Sequence, residues 1–139
     1  MASEPIFIDT GGFYALISAG DPSHHKAFTI RQEIGRVRRR VVTTDYVLQE
    51  TATLLRARGL TKYLKEFLSM SETSEALNIE WMTPDRFAAA RTFMLKYLDQ
   101  EFSFTDCVSF VVMKELRLKD ALATDKHFRI AGFNPLLLE

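Results

Sequence analysis

"IFIDTGG", residues Ile6 to Gly12, decides how this chain is read, because a short apolar run ends there in an acid and two glycines. A run of β-branched and aromatic residues this short reads as a buried strand, Ile6 to Asp9, with Asp9 where the strand leaves the core. An acid in that place is either a turn residue or a ligand. The two glycines would let a substrate or a hydrated metal approach the backbone closely.

Working outward, the segments alternate in type. A short helix is predicted through Phe13 to Ala19, broken by "GDPS", then a polar helix from about His24 to Arg36. "RVVTT" reads as the second strand. Asp45 opens a helix whose Val47, Leu48, Thr51, Leu54 and Leu55 share one face, stopping near Gly59. Another helix follows from Thr61 to about Met70, and "ALNIEWM" is a third strand. Pro84 stands where helices start, ahead of Phe87, Ala90, Phe93, Met94 and Tyr97 on one helix. A last long helix begins at "SFTD"; "DALAT" and "NPLLLE" are the final strands, with "DKHFRIAGF" as a short helical crossover. Helices between every pair of successive strands imply a parallel sheet of about five strands in a three-layer α/β sandwich. In such open sheets the carboxyl ends of the strands face the working crevice.

Composition narrows the function classes. The chain has 139 residues, 47% of them apolar, enough for one globular domain over 1–139 with a real core. With 18 basic and 18 acidic side chains the net charge is zero, so affinity for nucleic acid or a membrane must come from uneven placement of charge. A single cysteine, Cys107, excludes an internal disulfide and a multi-cysteine zinc site, and it falls in an apolar stripe that reads as core. "MASEPIF" lacks a basic region followed by a long apolar one, and no apolar run is long enough to span a membrane, so a soluble cytoplasmic protein is expected.

A census of acids near the crevice then answers the opening question. Asp9 ends the first strand and Asp125 ends "ALAT" in the same way. Asp106 opens the long helix, and Glu50 lies one turn into the helix after "VVTT", at the margin of its apolar face. Clustered carboxylates repel one another unless a cation sits among them. Ligation by carboxylates alone suits hard, oxygen-seeking ions such as Mg²⁺ or Mn²⁺, and these favour phosphate substrates. Each acid also has a structural reading. Asp106 fits a capping box whose N-cap is Ser103, Asp125 fits a cap of the short helix after it, Asp9 fits a turn, and Glu50 fits a solvated helix face. Those separate readings must explain why every acid falls on one edge of the sheet.

With these residues in place, "FIDTGGFYAL", "TTDYVLQETATLL", "FSFTDCVSFVVMKE" and "ALATDKHFRIAGF", in this order, resemble the PIN-domain ribonucleases, and among them the VapC-type toxins of toxin–antitoxin pairs. The resemblance implies that Asp9, Glu50, Asp106 and Asp125 are metal-binding, catalytic acids and that Thr10 and Thr105 are supporting hydroxyls. Gly11 stands where many relatives carry a small polar residue, so no role passes to it. The resemblance further implies an endoribonuclease using Mg²⁺ or Mn²⁺, an RNA substrate, a small antitoxin partner and a homodimer.

Other readings have less behind them. "DTG" also marks aspartic proteases, which need two such aspartates in a largely β scaffold. A Mg²⁺-binding receiver domain needs adjacent acids after its first strand, and Ile8 precedes Asp9. A silent PIN-like interaction module would have lost an acid, and none is lost. His24 and His25 are adjacent and do not share a helical face. His127 reads as fixing the short helix rather than as catalytic. Trp81 and the phenylalanines read as core or interface. The run at Arg38, Arg39 and Arg40, with Arg58 and its neighbours Arg56 and Lys62, is a candidate track for an RNA backbone.

Overall fold

A computed structural model describes residues 4–139; the first three residues of "MASEPIF" lie outside the described residues. The elements run β1 (Ile6–Ile8), α1 (Thr10–Ile17), α2 (His24–Arg36), β2 (Val41–Thr44), α3 (Asp45–Ala57), α4 (Thr61–Thr73) and β3 (Leu77–Glu80). They continue with α5 (Pro84–Lys96), α6 (Phe104–Glu115), β4 (Asp120–Leu122), α7 (Lys126–Ile130) and β5 (Asn134–Pro135). The five strands form one sheet in the order β3-β2-β1-β4-β5, with every pairing parallel. Helix α1 packs on α2 and α3, and α3 on α4; α5 packs on α6, and α6 on α7. Right-handed crossovers put the first group on one face of the sheet and the second on the other, giving the expected three layers.

The chain leaves β1 for one face and β4 for the other, and these strands are neighbours. A crevice therefore opens at their carboxyl ends, at the point where the winding reverses. The wall beneath it is dry: Ile6, Phe7, Ala121, Leu122 and Ala123 are essentially inaccessible. Phe110 of α6 fills the opposite layer, meeting Phe102, Phe128 and Phe133 at ring separations of 5.2, 5.0 and 5.7 Å. Cys107 belongs to this layer, as its apolar stripe predicts, and burial raises its thiol to about 11, which keeps it unreactive.

Helix α1 starts at Thr10, three residues before its predicted start, and takes in both glycines. Their role is packing rather than access for a substrate. A Cβ on Gly12 would stand 2.1 Å from the Leu122 carbonyl oxygen of β4, and one on Gly11 would stand 2.4 Å from Thr124 Oγ1. Only glycine lets α1 press on β4 this closely. Because the obstruction at Gly12 is backbone, Gly12→Ala is expected to destabilise the fold by about 3 kcal/mol, the upper end of ordinary overpacking. Urea unfolding checks this, and an unchanged midpoint would contradict it.

The other differences are at strand ends. β3 stops at Glu80, leaving Trp81 outside the sheet and 61% exposed, so it is not core. β5 keeps only Asn134 and Pro135 of "NPLLLE" as strand; proline lacks the N–H a longer ladder needs and suits this edge. Among the described residues no helix is long and apolar enough to cross a membrane.

Candidate metal centre

Asp9 stands at the N-cap of α1, yet its side chain makes no capping hydrogen bond. Its backbone is fully engaged: the N–H donates to the Leu122 carbonyl at 3.1 Å, and its carbonyl accepts from Phe13 N–H at 3.1 Å. The carboxylate is 6% exposed, and its Oδ1 is buried without a partner. A buried polar atom left unpaired is costly, so a position of this kind calls for a missing ligand. Burial pushes the Asp9 carboxyl up to about 7; the Thr10 N–H opposes the rise, and the charges of Asp106, Glu50 and Asp125 add to it.

That coupling shows the four acids sharing one region, although they do so unequally. Asp106 is the third residue of α6 and also closes the predicted capping box: Asp106 N–H donates to Ser103 Oγ at 3.0 Å, and Ser103 N–H donates to Asp106 Oδ2 at 3.1 Å. Burial raises its carboxyl, and the charge of Asp125 adds to the rise against the Ser103 N–H and His127. Asp125 lies three residues past β4 rather than at its end, and caps α7 by accepting His127 N–H on Oδ1 at 2.9 Å. For these two acids the capping and site readings are compatible, because each cap spends one oxygen. Glu50 is exposed, further toward solvent than its helical position suggests.

Asp45 supplies a contrast on the same edge. Its Oδ1 accepts Met82 N–H at 3.0 Å, so this acid ties α3 to the segment after β3. Thr10 lies beside Asp9 with its Oγ1 also buried and unpartnered, and Thr105 precedes Asp106 in the first turn of α6. Ser109, one turn further along α6, has a buried Oγ without a partner; nothing in its apolar surroundings drew notice to it in the sequence.

His127 is placed differently from its sequence reading. The start of α7 is fixed by its backbone N–H, whereas its ring turns onto the acids: Nδ1 lies 3.1 Å from Asp106 Oδ2 and 3.2 Å from Asp125 Oδ2. Polar atoms of Asp106, Asp125 and His127 all fall within 4.8 Å of one another. The neighbourhood is thus not made of carboxylates alone. Asp9 and Glu50 are not part of that group; a divalent cation fits the neighbourhood, since such an ion would neutralise the clustered charge.

The arginine run falls elsewhere. Arg38, Arg39 and Arg40 enter β2 at its amino end, and four strand residues, about 13 Å, separate them from the carboxyl edge that carries the acids. Arg39 is spent on structure there, pairing with Asp120 at 2.9 Å and donating to the Glu4 carbonyl. Arg58 follows α3 and lies over the Tyr14 ring of α1 at 5.7 Å, so it alone of the four keeps a link to the helix that Asp9 begins. A cavity of about 730 Å³ between α2 and α4, lined by Phe13, Phe28, Phe67 and Met70, contains none of the four acids.

The fold and these residues define a class: small doubly wound α/β domains that gather carboxylates where the winding of a parallel sheet reverses. Residues 6–134 match the PIN domain. The chain is 33% identical over 128 residues to the 23S rRNA-specific endonuclease VapC20 of Mycobacterium tuberculosis, covering 92% of this chain and 95% of that one. It is 34% identical over 129 residues to a VapC ribonuclease of Archaeoglobus fulgidus, covering 88% and 78%. A crystal structure of the M. tuberculosis VapC20, described as a sarcin–ricin loop cleaving toxin, superposes with a TM-score of 0.83 at 31% identity, over 92% and 95% of the two chains. The chain belongs to the PIN-domain family, as a VapC-type member.

Proposed function

We propose that this protein is a toxin of the VapC type, an endoribonuclease formed by one PIN-like domain whose Asp9, Glu50, Asp106 and Asp125 hold Mg²⁺ or Mn²⁺. The observation that carries the reading is the buried Asp9 carboxylate, unpartnered at Oδ1 and raised by burial with three acids acting on it. A bound divalent ion would supply a nucleophilic water at neutral pH and charge stabilisation on the phosphodiester. The chain's own residues do the positioning. The Asp9 main chain is held by its two backbone hydrogen bonds and the Asp106 carboxylate by the capping box, so the acids are placed before substrate arrives. Glu50 is exposed and would complete the set from the solvent side. Thr10 and Thr105 offer hydroxyls beside the first and third acids, and no side chain acts as the nucleophile. Retention of all four acids tells against a silent interaction module.

The proposal extends to partners through the resemblance to VapC-type toxins. An antitoxin would block the crevice, two copies would associate, and the protein would act in the cytoplasm. Of Arg38, Arg39, Arg40 and Arg58, Arg58 is the proposed RNA contact, supported by its place over Tyr14 of α1. The test is to incubate the purified protein with a panel of RNAs, a sarcin–ricin loop hairpin first among them, in Mg²⁺ or Mn²⁺ with and without EDTA. Cleavage that EDTA abolishes is expected; cleavage that survives EDTA, or no cleavage of any RNA, would count against the reading.

A further inference from the structure

We propose that His127 is a positioning residue of the metal centre, its ring Nδ1–H holding the Asp106 carboxylate and its backbone N–H the Asp125 carboxylate in one geometry. The inference deepens the proposed function and rests on its reading that the four acids hold a divalent ion. Its basis is the placement of one atom. His127 Nδ1 lies 3.1 Å from Asp106 Oδ2 and 3.2 Å from Asp125 Oδ2. Two carboxylate oxygens this close to a bare ring nitrogen would oppose its lone pair, so the proton belongs on Nδ1 and is donated to Asp106 Oδ2. A neutral ring with that tautomer is sufficient.

The two acids come from separate segments, the start of α6 and the turn after β4. His127 joins them. Asp106 Oδ2 already accepts Ser103 N–H, so adding Nδ1–H commits that oxygen fully and leaves Oδ1 for the centre. Asp125 is gripped at Oδ1 by the backbone N–H of the same residue, while its Oδ2 stands 3.2 Å from the ring nitrogen. The ring cannot swing freely, because it stands edge-on to buried Phe102 at 5.3 Å and 80°. Asp9 Oδ1, buried, unpartnered and within reach of the charges of both acids, is the independent sign that a ligand belongs there. Hydrogen-bonding partners that orient metal-binding groups are typically worth about 10- to 100-fold in metal affinity.

The test compares wild type with His127→Ala, His127→Asn and His127→Gln by calorimetric titration with Mn²⁺ and, separately, Zn²⁺, without RNA. Unfolding in chelator shows which variants are folded. The amide nitrogen of an asparagine side chain can stand where Nδ1 stands, whereas that of glutamine reaches the position of Nε2. His127→Ala and His127→Gln are therefore expected to weaken Mn²⁺ binding about 10- to 100-fold, with His127→Asn staying within a few-fold of wild type. Should His127→Ala fail to fold, the asparagine and glutamine variants decide. Rescue by glutamine and not asparagine, a loss confined to Zn²⁺ as for a direct nitrogen ligand, or unchanged Mn²⁺ binding in His127→Ala would each overturn the inference alone. A wild type that binds neither ion overturns the metal reading and this inference with it.

Discussion

Asp9→Asn is expected to lower kcat for RNA cleavage by at least about a hundredfold, because the loss of a direct ligand should exceed the 10- to 100-fold typical of its supporting partners. The same change should stabilise the metal-free protein at pH 8. The two effects have one cause. The Asp9 carboxylate is buried, lacks a partner at Oδ1 and is opposed by the charges of Asp106, Glu50 and Asp125, so ionising it without metal is costly. An amide of the same shape carries no charge and can donate to the neighbouring carboxylates. Single-turnover cleavage and urea unfolding in chelator measure the two effects. A variant that keeps its activity and loses stability would make Asp9 a structural turn residue.

The second large effect is a pH dependence of the metal-free protein that runs opposite to ordinary acid denaturation. The folded Asp9 carboxyl titrates at about 7 against a usual 3.8, so between those values the folded state holds a proton that the unfolded chain has released. Stability therefore falls as pH rises through this window, and the cost is complete above it. The full shift corresponds to about 4 kcal/mol. Asp106, raised by burial in the same sense, adds to the trend. Other acids contribute their own pH dependence, so the informative quantity is wild type minus Asp9→Asn, followed by urea unfolding from pH 4 to pH 8.5 in chelator. Adding Mn²⁺ at about a hundred times its dissociation constant at pH 8 should return roughly 2.7 kcal/mol to wild type and little to the variant. A flat difference across the range would remove the electrostatic basis of the site.

Much of this was legible in the sequence because strand runs, helix starts and acids follow local rules. The alternation of types implied parallel pairing, and every pairing is parallel. The start of α1 was not legible, since two glycines argue locally against a helix while their reason, the Leu122 carbonyl, lies on a strand over a hundred residues away. Ring orientation at His127 was likewise invisible, being set by Phe102 and by Asp106 on another helix. The arginine run is a different case. Residues that precede a parallel strand lie at the opposite edge from those that follow it, so Arg38 to Arg40 and Asp9 were separable from the strand directions alone. The exposure of Glu50 needed the packing of α3 to be known.

The double use of Asp106 and Asp125 governs how an inert form of this protein should be made for trapping an uncut RNA or an antitoxin. Alanine at either position removes a cap as well as a charge, costing about 1 kcal/mol of helix stability and loosening the very surface a bound molecule would report on. Asp9 holds no such second post: its backbone makes the structural contacts and its carboxylate makes no cap. Bait for co-purification is best built there, where disarming the protein leaves its shape alone.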